Sequence, residues 1–206
     1  MTEFKGITTR RGDDGTSEIL GGVRFRKSES VFAALGEVDE LSSSIGLAKA
    51  LMRRDHPETQ GAAQALETVQ SDLARLGALI ATPERKSPRR GPEERTLKED
   101  GAAITAGDVL RLEDYERTYV SEIDVTGTFT IPGGSVAGAQ LDVSRAVCRR
   151  AERQLVSHIS QSNAPHLGNC LKYLNRLSDL LYIIARRIEM LYILTCSADN
   201  GATEGK

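Results

Sequence analysis

Tryptophan is missing from this sequence, and aromatic residues of every kind make up only 4% of it. Sheets draw on aromatic and β-branched side chains, so the supply is thin for an all-β core and adequate for a helical core of Leu, Ala and Val. Cysteine is also scarce. Cys148, Cys170 and Cys196 are odd in number, widely spaced and form no Cys-x-x-Cys pair. That argues against a disulfide framework or a zinc site and for reduced, partly buried thiols. The three histidines, His56, His158 and His166, belong to no Glu-x-x-His pair, which sets a di-iron bundle aside. No Gly-x-Ser-x-Gly elbow and no Walker A loop occur, so those two chemistries are excluded. No run reaches about 18 apolar residues, and no segment is expected to span a membrane. Met1-Thr2-Glu3-Phe4 lacks a basic stretch followed by an apolar one, so no secretory leader is expected and a cytoplasmic location is. A net charge of −2 gives no reason to expect nucleic acid, and any anion site must be a local cluster of arginine.

What is present reads as helix. The chain has 206 residues, 39% apolar and 27% charged, as in one soluble domain with room for a core. After a polar, glycine-dotted segment over 7–30, Val31, Leu35, Val38, Leu41, Ile45, Ala48 and Met52 recur at three or four residues and predict a helix over 31–54. Ala62, Leu66, Val69, Leu73, Leu76 and Ile80 predict a second over 60–82. Prolines and a dense charge run over 83–104 read as a solvated loop. Thr105 and Asp108 form a capping box that opens a third helix to about residue 122. An extended stretch from Phe129 to Ser135 leads to a fourth helix over 135–161. The fifth, over 167–195, is the most apolar and is expected at the centre. With no convincing hairpin signal, the pattern predicts an all-α five-helix bundle with up-down packing of the ferritin type. The organisation is one domain over 1–206, comprising an N-terminal loop (1–30), the bundle (31–195) and a tail (196–206).

Three segments carry candidate chemistry. Asp142, Arg145, Arg149 and Glu152 fall on one stripe of the fourth helix, beside an apolar stripe of Val143, Val147, Ala151 and Leu155. The stripe is either a solvated face with weak ion pairs or a phosphate site built from guanidinium forks. The loop from Thr9 to Thr16, with Arg10, Arg11, Gly12, Asp13, Asp14 and Gly15, is either a polar turn or an anion cradle. Asp13 or Asp14 would there hold magnesium through water. Asn175 and Asp179, four apart on the fifth helix, can face one way as a buried polar pair that needs partners, which arginines of the fourth helix would supply; the pair is either part of a site or a structural network pinning the two helices.

In this order these segments resemble the PduO-type ATP:cob(I)alamin adenosyltransferases. The matching blocks are Thr9-Arg10-Arg11-Gly12-Asp13-Asp14-Gly15-Thr16, Gly36-Glu37-Val38-Asp39-Glu40-Leu41, Pro132-Gly133-Gly134, Arg145 to Arg153, and Tyr173-Leu174-Asn175-Arg176-Leu177-Ser178-Asp179. Ser42 and Thr130 depart from the usual pattern. The resemblance implies a homotrimer with sites between subunits, transferring the 5′-deoxyadenosyl group of ATP to cob(I)alamin. It implies that Thr9, Arg10, Gly12, Asp13, Gly15, Thr16, Lys27, Arg145, Arg149, Glu152 and Asn175 bind ATP, with magnesium carried by the nucleotide and not by a dedicated set of side chains. Arg145, Arg149, Asp39 and Phe129 would be the catalytic set, with Asp39 bracing Arg145. Phe129, Asp179 and Tyr182 would face the corrinoid, Phe129 displacing its lower ligand. A flavin-type reductase and an adenosylcobalamin-dependent acceptor enzyme are the further partners so implied. The alternative reading is a non-catalytic carrier or sensor of ATP or a corrinoid.

Overall fold

The computed structural model describes residues 8–52, 57–82, 103–123 and 130–201, with 57–58 and 195–201 described by their backbone alone. Within these residues five helices form: α1 (Ser30–Leu51), α2 (Pro57–Ile80), α3 (Ala106–Val120), α4 (Val136–Ser162) and α5 (Gly168–Gly201). A 3₁₀ turn over Pro165–Leu167 leads into α5. α4 stops where Asn163 takes a left-handed conformation at φ 54°, which a short polar side chain tolerates.

Helix starts follow local chemistry. Thr105 caps α3: its hydroxyl accepts from the Asp108 amide, and the Asp108 carboxylate accepts from the Thr105 amide. Ser135 accepts from the Gly138 amide and caps α4. α1 packs on α2 and α4, and α5 touches α3, α4 and α2, which bears out its central place. Its Tyr173, Leu174 and Leu177 are fully buried with Leu41, Ile45, Leu73, Leu112 and Leu155. Val143 departs from the expected apolar stripe of α4: it is 53% exposed, while Val147, Ala151 and Leu155 are buried.

The entry segment contains a hairpin that the sequence reading did not anticipate. Strand β1 (Thr16–Glu18) pairs antiparallel with β2 (Arg24–Arg26). Gly21 and Gly22, at φ 89° and 77°, make the turn, a backbone state that glycine reaches without strain. Three-residue polar strands carry little alternation, and that is why the signal escaped. Ile19 and Phe25 of the hairpin pack beside Val31, Ile80 and Leu167 around a cavity of about 380 Å³, seating it over one end of the bundle.

Candidate functional site

The opening loop is built by its own side chains. Asp14 accepts from the Thr16 amide at 2.9 Å and hydroxyl at 2.7 Å, and these bonds, with Arg24 nearby, hold its carboxyl below the usual range. Lys27 reaches back from the residue after β2 and donates to the Gly12 carbonyl at 2.8 Å. Arg10 sits at φ 57°, and Gly15 at φ 77°, so the chain folds tightly around this segment. Thr16 belongs to β1 and not to the loop, while Asp13 is exposed: its amide donates to the Arg10 carbonyl at 3.3 Å, and its carboxylate has no hydrogen bond among the described residues.

The α4 stripe divides on inspection. Asp142 turns toward α5 and pairs with Arg186. Glu152 accepts from the Asn175 amide at 3.0 Å, and Asn175 in turn accepts from Arg176, which also holds Glu113 of α3 at 3.0 Å. The expected partner of Asn175 was an arginine of the fourth helix; the structure supplies Glu152 and the adjacent Arg176 instead. Arg150 bridges to Glu37 and Glu40 of α1. Arg145 and Arg149 differ. Neither guanidinium has a hydrogen bond or acid partner among the described residues, and the Nε of Arg145 is buried.

Asp39 does not brace Arg145 within the chain: it lies on the exposed face of α1, and no ion pair joins the two. Nor does any hydrogen bond or ion pair among the described residues link the opening loop to Arg145, Arg149, Glu152 or Asn175. Asp179 is exposed on α5, and Tyr182 is half-buried with the Arg186 guanidinium 5.2 Å from its ring centre. Phe129 lies outside the described residues. No group of three or more His, Cys, Asp or Glu among them is placed to hold a metal.

Cys148 and Cys170 are free and buried. Cys148 donates to the Leu174 carbonyl at 3.2 Å, tying α4 to α5, and burial pushes its thiol far up. Burial likewise pushes the Cys170 thiol up to about 12. Both are free thiols, as expected, and more deeply buried than the partial burial expected; the Cys196 side chain lies outside the described set.

Residues 7–188 match a family model for cobalamin adenosyltransferase. The chain belongs to the cobalamin adenosyltransferase family. Among relatives of this family, the corrinoid adenosyltransferase MMAB of Bos taurus is 37% identical over 185 residues, covering 89% of this chain and 71% of that protein. The corrinoid adenosyltransferase of Mycobacterium leprae is 38% identical, covering 87% of this chain and 89% of that one. A variant PduO-type ATP:corrinoid adenosyltransferase from Lactobacillus reuteri, complexed with cobalamin and ATP, superposes with a TM-score of 0.76 at 30% identity, covering 91% of this chain and 95% of that one. A second variant of that family, from the same organism and complexed with ATP, gives 0.75.

Two features of this family member escaped the sequence reading. One is a buried ionic knot in which Asp72 of α2 receives Arg75 at 2.6 Å, Arg111 of α3 at 2.6 Å and the Tyr173 hydroxyl of α5 at 2.8 Å. Asp108 joins it through both arginines, which hold its carboxyl far below the usual range against the opposing effect of burial. The other is Glu116 of α3. Burial, with Asp179 nearby, pushes its carboxyl up to about 7, and one of its oxygens is buried without a partner. Acidic residues at helical spacing on an otherwise apolar face were the signal that was available.

Proposed function

We propose that this protein transfers the 5′-deoxyadenosyl group of ATP to the Co(I) centre of cob(I)alamin, releasing triphosphate. The observation that carries the reading is the partnerless state of Arg145 and Arg149. Arg150, Arg176, Arg186 and Arg187 on the same two helices all discharge into acids, whereas these two keep their forks open beside a fixed Glu152–Asn175 pair. Arg145 is half-buried with its Nε fully so, and such a guanidinium without a counterion is costly unless an anion arrives; Arg149 is exposed and offers its fork to the same face.

The nucleophile is the substrate itself. Co(I) gives its electron pair to C5′ of ATP, the cobalt–carbon bond forms, and the C5′–O bond breaks with its pair leaving on triphosphate. Cobalt ends formally as Co(III). The chain's own work is to hold carbon and metal in line and to meet the charge that gathers on the leaving group, for which Arg145 and Arg149 serve. Thr9, Arg10, Gly12, Asp13, Gly15, Thr16 and Lys27 supply the phosphate cradle, and Glu152 and Asn175 orient the nucleotide. Magnesium enters with ATP and adds positive charge at the phosphates. Asp13, its carboxylate without a hydrogen bond or ion pair among the described residues, suits the one or two carboxylates such an ion takes. Phe129, Asp179 and Tyr182 face the corrinoid, with Phe129 excluding a lower axial ligand.

The separation of the opening loop from the α4 stripe within one chain supports a site shared between subunits of a homotrimer. Asp39 of one subunit then meets Arg145 of the next, which also answers the buried, unpaired Nε. No helix among the described residues is long and apolar enough to cross a membrane. A cytoplasmic location, a flavin-type reductase as electron source and an adenosylcobalamin-dependent acceptor complete the reading.

Purified protein with ATP, magnesium and chemically reduced cobalamin should form the carbon–cobalt bond, seen as the absorbance change to adenosylcobalamin. Binding of both ligands without that change would leave a carrier or sensor. Arg149→Ala should cost several kcal/mol in kcat/KM for ATP; a loss below ~1 kcal/mol removes Arg149 from the site.

A further inference from the structure

Four polar side chains form one continuous run of hydrogen bonds across α4, α5 and α3. Asn175 of α5 donates through Nδ2 to Oε1 of Glu152 on α4 at 3.0 Å. Its Oδ1 accepts from Nη1 of the adjacent Arg176 at 2.7 Å. The Nε of the same guanidinium donates to Oε1 of Glu113 on α3 at 3.0 Å. The position of one half-buried amide is thus referred to three helices.

An asparagine amide can be turned end for end with little change in shape. The two neighbours of Asn175 admit one orientation only. A guanidinium is solely a donor and an ionised carboxylate solely an acceptor, so a reversed amide would set its NH2 group against Arg176 and its oxygen against Glu152. Glu152 fixes one end of the amide and Arg176 fixes the other. The groups left over are aimed as a consequence. The second hydrogen on Nδ2 and the second oxygen of Glu152 have no hydrogen bond among the described residues.

Glu113 does for Arg176 what Arg176 does for Asn175. A long arginine side chain is confined when its rigid fork meets acceptors on two edges at once. This outer pair contributes little to the fold itself. Its side chains are 42% and 30% exposed, and ion pairs so open to water add little stability. Its bonds run instead to an amide of the nucleotide site.

We propose that Arg176 and Glu113 are positioning residues for ATP, holding the Asn175 amide in the orientation that the nucleotide meets. The inference rests on the reading that Asn175 and Glu152 bind ATP. Arg176 acts on the nucleotide through Asn175, and Glu113 acts through Arg176.

Steady-state kinetics with ATP, magnesium and chemically reduced cobalamin, arranged as a double-mutant cycle, provide the test. Arg176→Met and Glu113→Gln should each raise KM for ATP about threefold or more, while KM for the corrinoid moves by less than about twofold. Arg176→Lys keeps the charge but not the fork and should raise KM for ATP as Arg176→Met does. In an Asn175→Ala background, Arg176→Met should add less than about twofold, because the amide it holds is gone. Should Arg176→Met be insoluble, Arg176→Lys carries the same cycle. Effects that multiply in the double variant, or a parental KM for ATP in Arg176→Lys, would overturn the proposal. So would equal rises in both KM values accompanied by a fall in Tm, which would make the network purely structural. The single variant Asn175→Ala separates the layers. If it leaves KM for ATP unchanged, the nucleotide-site reading of Asn175 fails and the inference falls with it; if it raises KM while the Arg176 and Glu113 variants do not, only the positioning role fails.

Discussion

Arg149 and Arg150 are neighbours in sequence and opposites in environment. Arg150 turns its charge into Glu37 and Glu40 of α1; Arg149 is exposed and has no ion pair among the described residues. The difference follows from a 100° step along the helix, which sends adjacent side chains to different surroundings. Glu116 shows the same dependence on place. Its carboxyl, raised to about 7 by burial and by Asp179, is held protonated in the fold at pH values where an unfolded chain would ionise it. Its contribution to stability is therefore full below the unfolded value near 4.5 and is lost as pH rises toward about 7. Glu116→Gln, neutral at every pH, should flatten that decline. Thermal melts at pH 5 and pH 7.5 should show the variant gaining on the parent at the higher pH, and an equal difference at both would count against the assignment.

At the scale of elements, the termini are decided by a few polar atoms. Thr105 satisfies the Asp108 amide, and Asp108 spends its remaining oxygen on Arg75 and Arg111. The capping box therefore also orients the acid that ties α3 to α2. Thr105→Ala should lower stability by about 1–2 kcal/mol in urea unfolding, at the upper end for a lost cap, with KM for ATP unchanged. The hairpin is an element of another kind. Its strands are too short to hold themselves, and it persists because Ile19 and Phe25 dock on the bundle while Lys27 closes onto Gly12. In the proposed reading, a loop fastened at its base, with its backbone bent tightly over Gly15, would be a cradle prepared before the phosphates arrive.

For the whole molecule, α1 carries only four charged residues in its 22, Glu37, Asp39, Glu40 and Lys49, and is otherwise apolar or small nearly all round. Its Leu47 and Leu51 are 51% and 40% exposed, and Val136 and Val143 of α4 are 71% and 53% exposed. A helix pair apolar on its outer side as well as its inner one has a further surface to bury. In the proposed trimer that surface is the subunit contact. Val143→Glu should shift the protein toward monomer in sedimentation velocity and abolish saturable ATP turnover, with helical circular dichroism retained. A trimer that survives the change would place the contact elsewhere.

The sequence alone determined the five helices, because three- and four-residue recurrence of Leu, Ile, Val and Ala is a local signal that packing only had to confirm. It also determined the Thr105 cap and the order of blocks that mark the family. The tertiary structure decided which polar residues are committed. Whether Asp142 faces solvent or Arg186, and whether Asp72 is buried beneath Tyr173, depends on residues tens of positions away that meet only when helices cross. Periodicity assigns a side chain to a stripe, but the charge it meets there belongs to another element. That is why the sequence places arginines along α4, and only the fold decides which of them lack an acid partner.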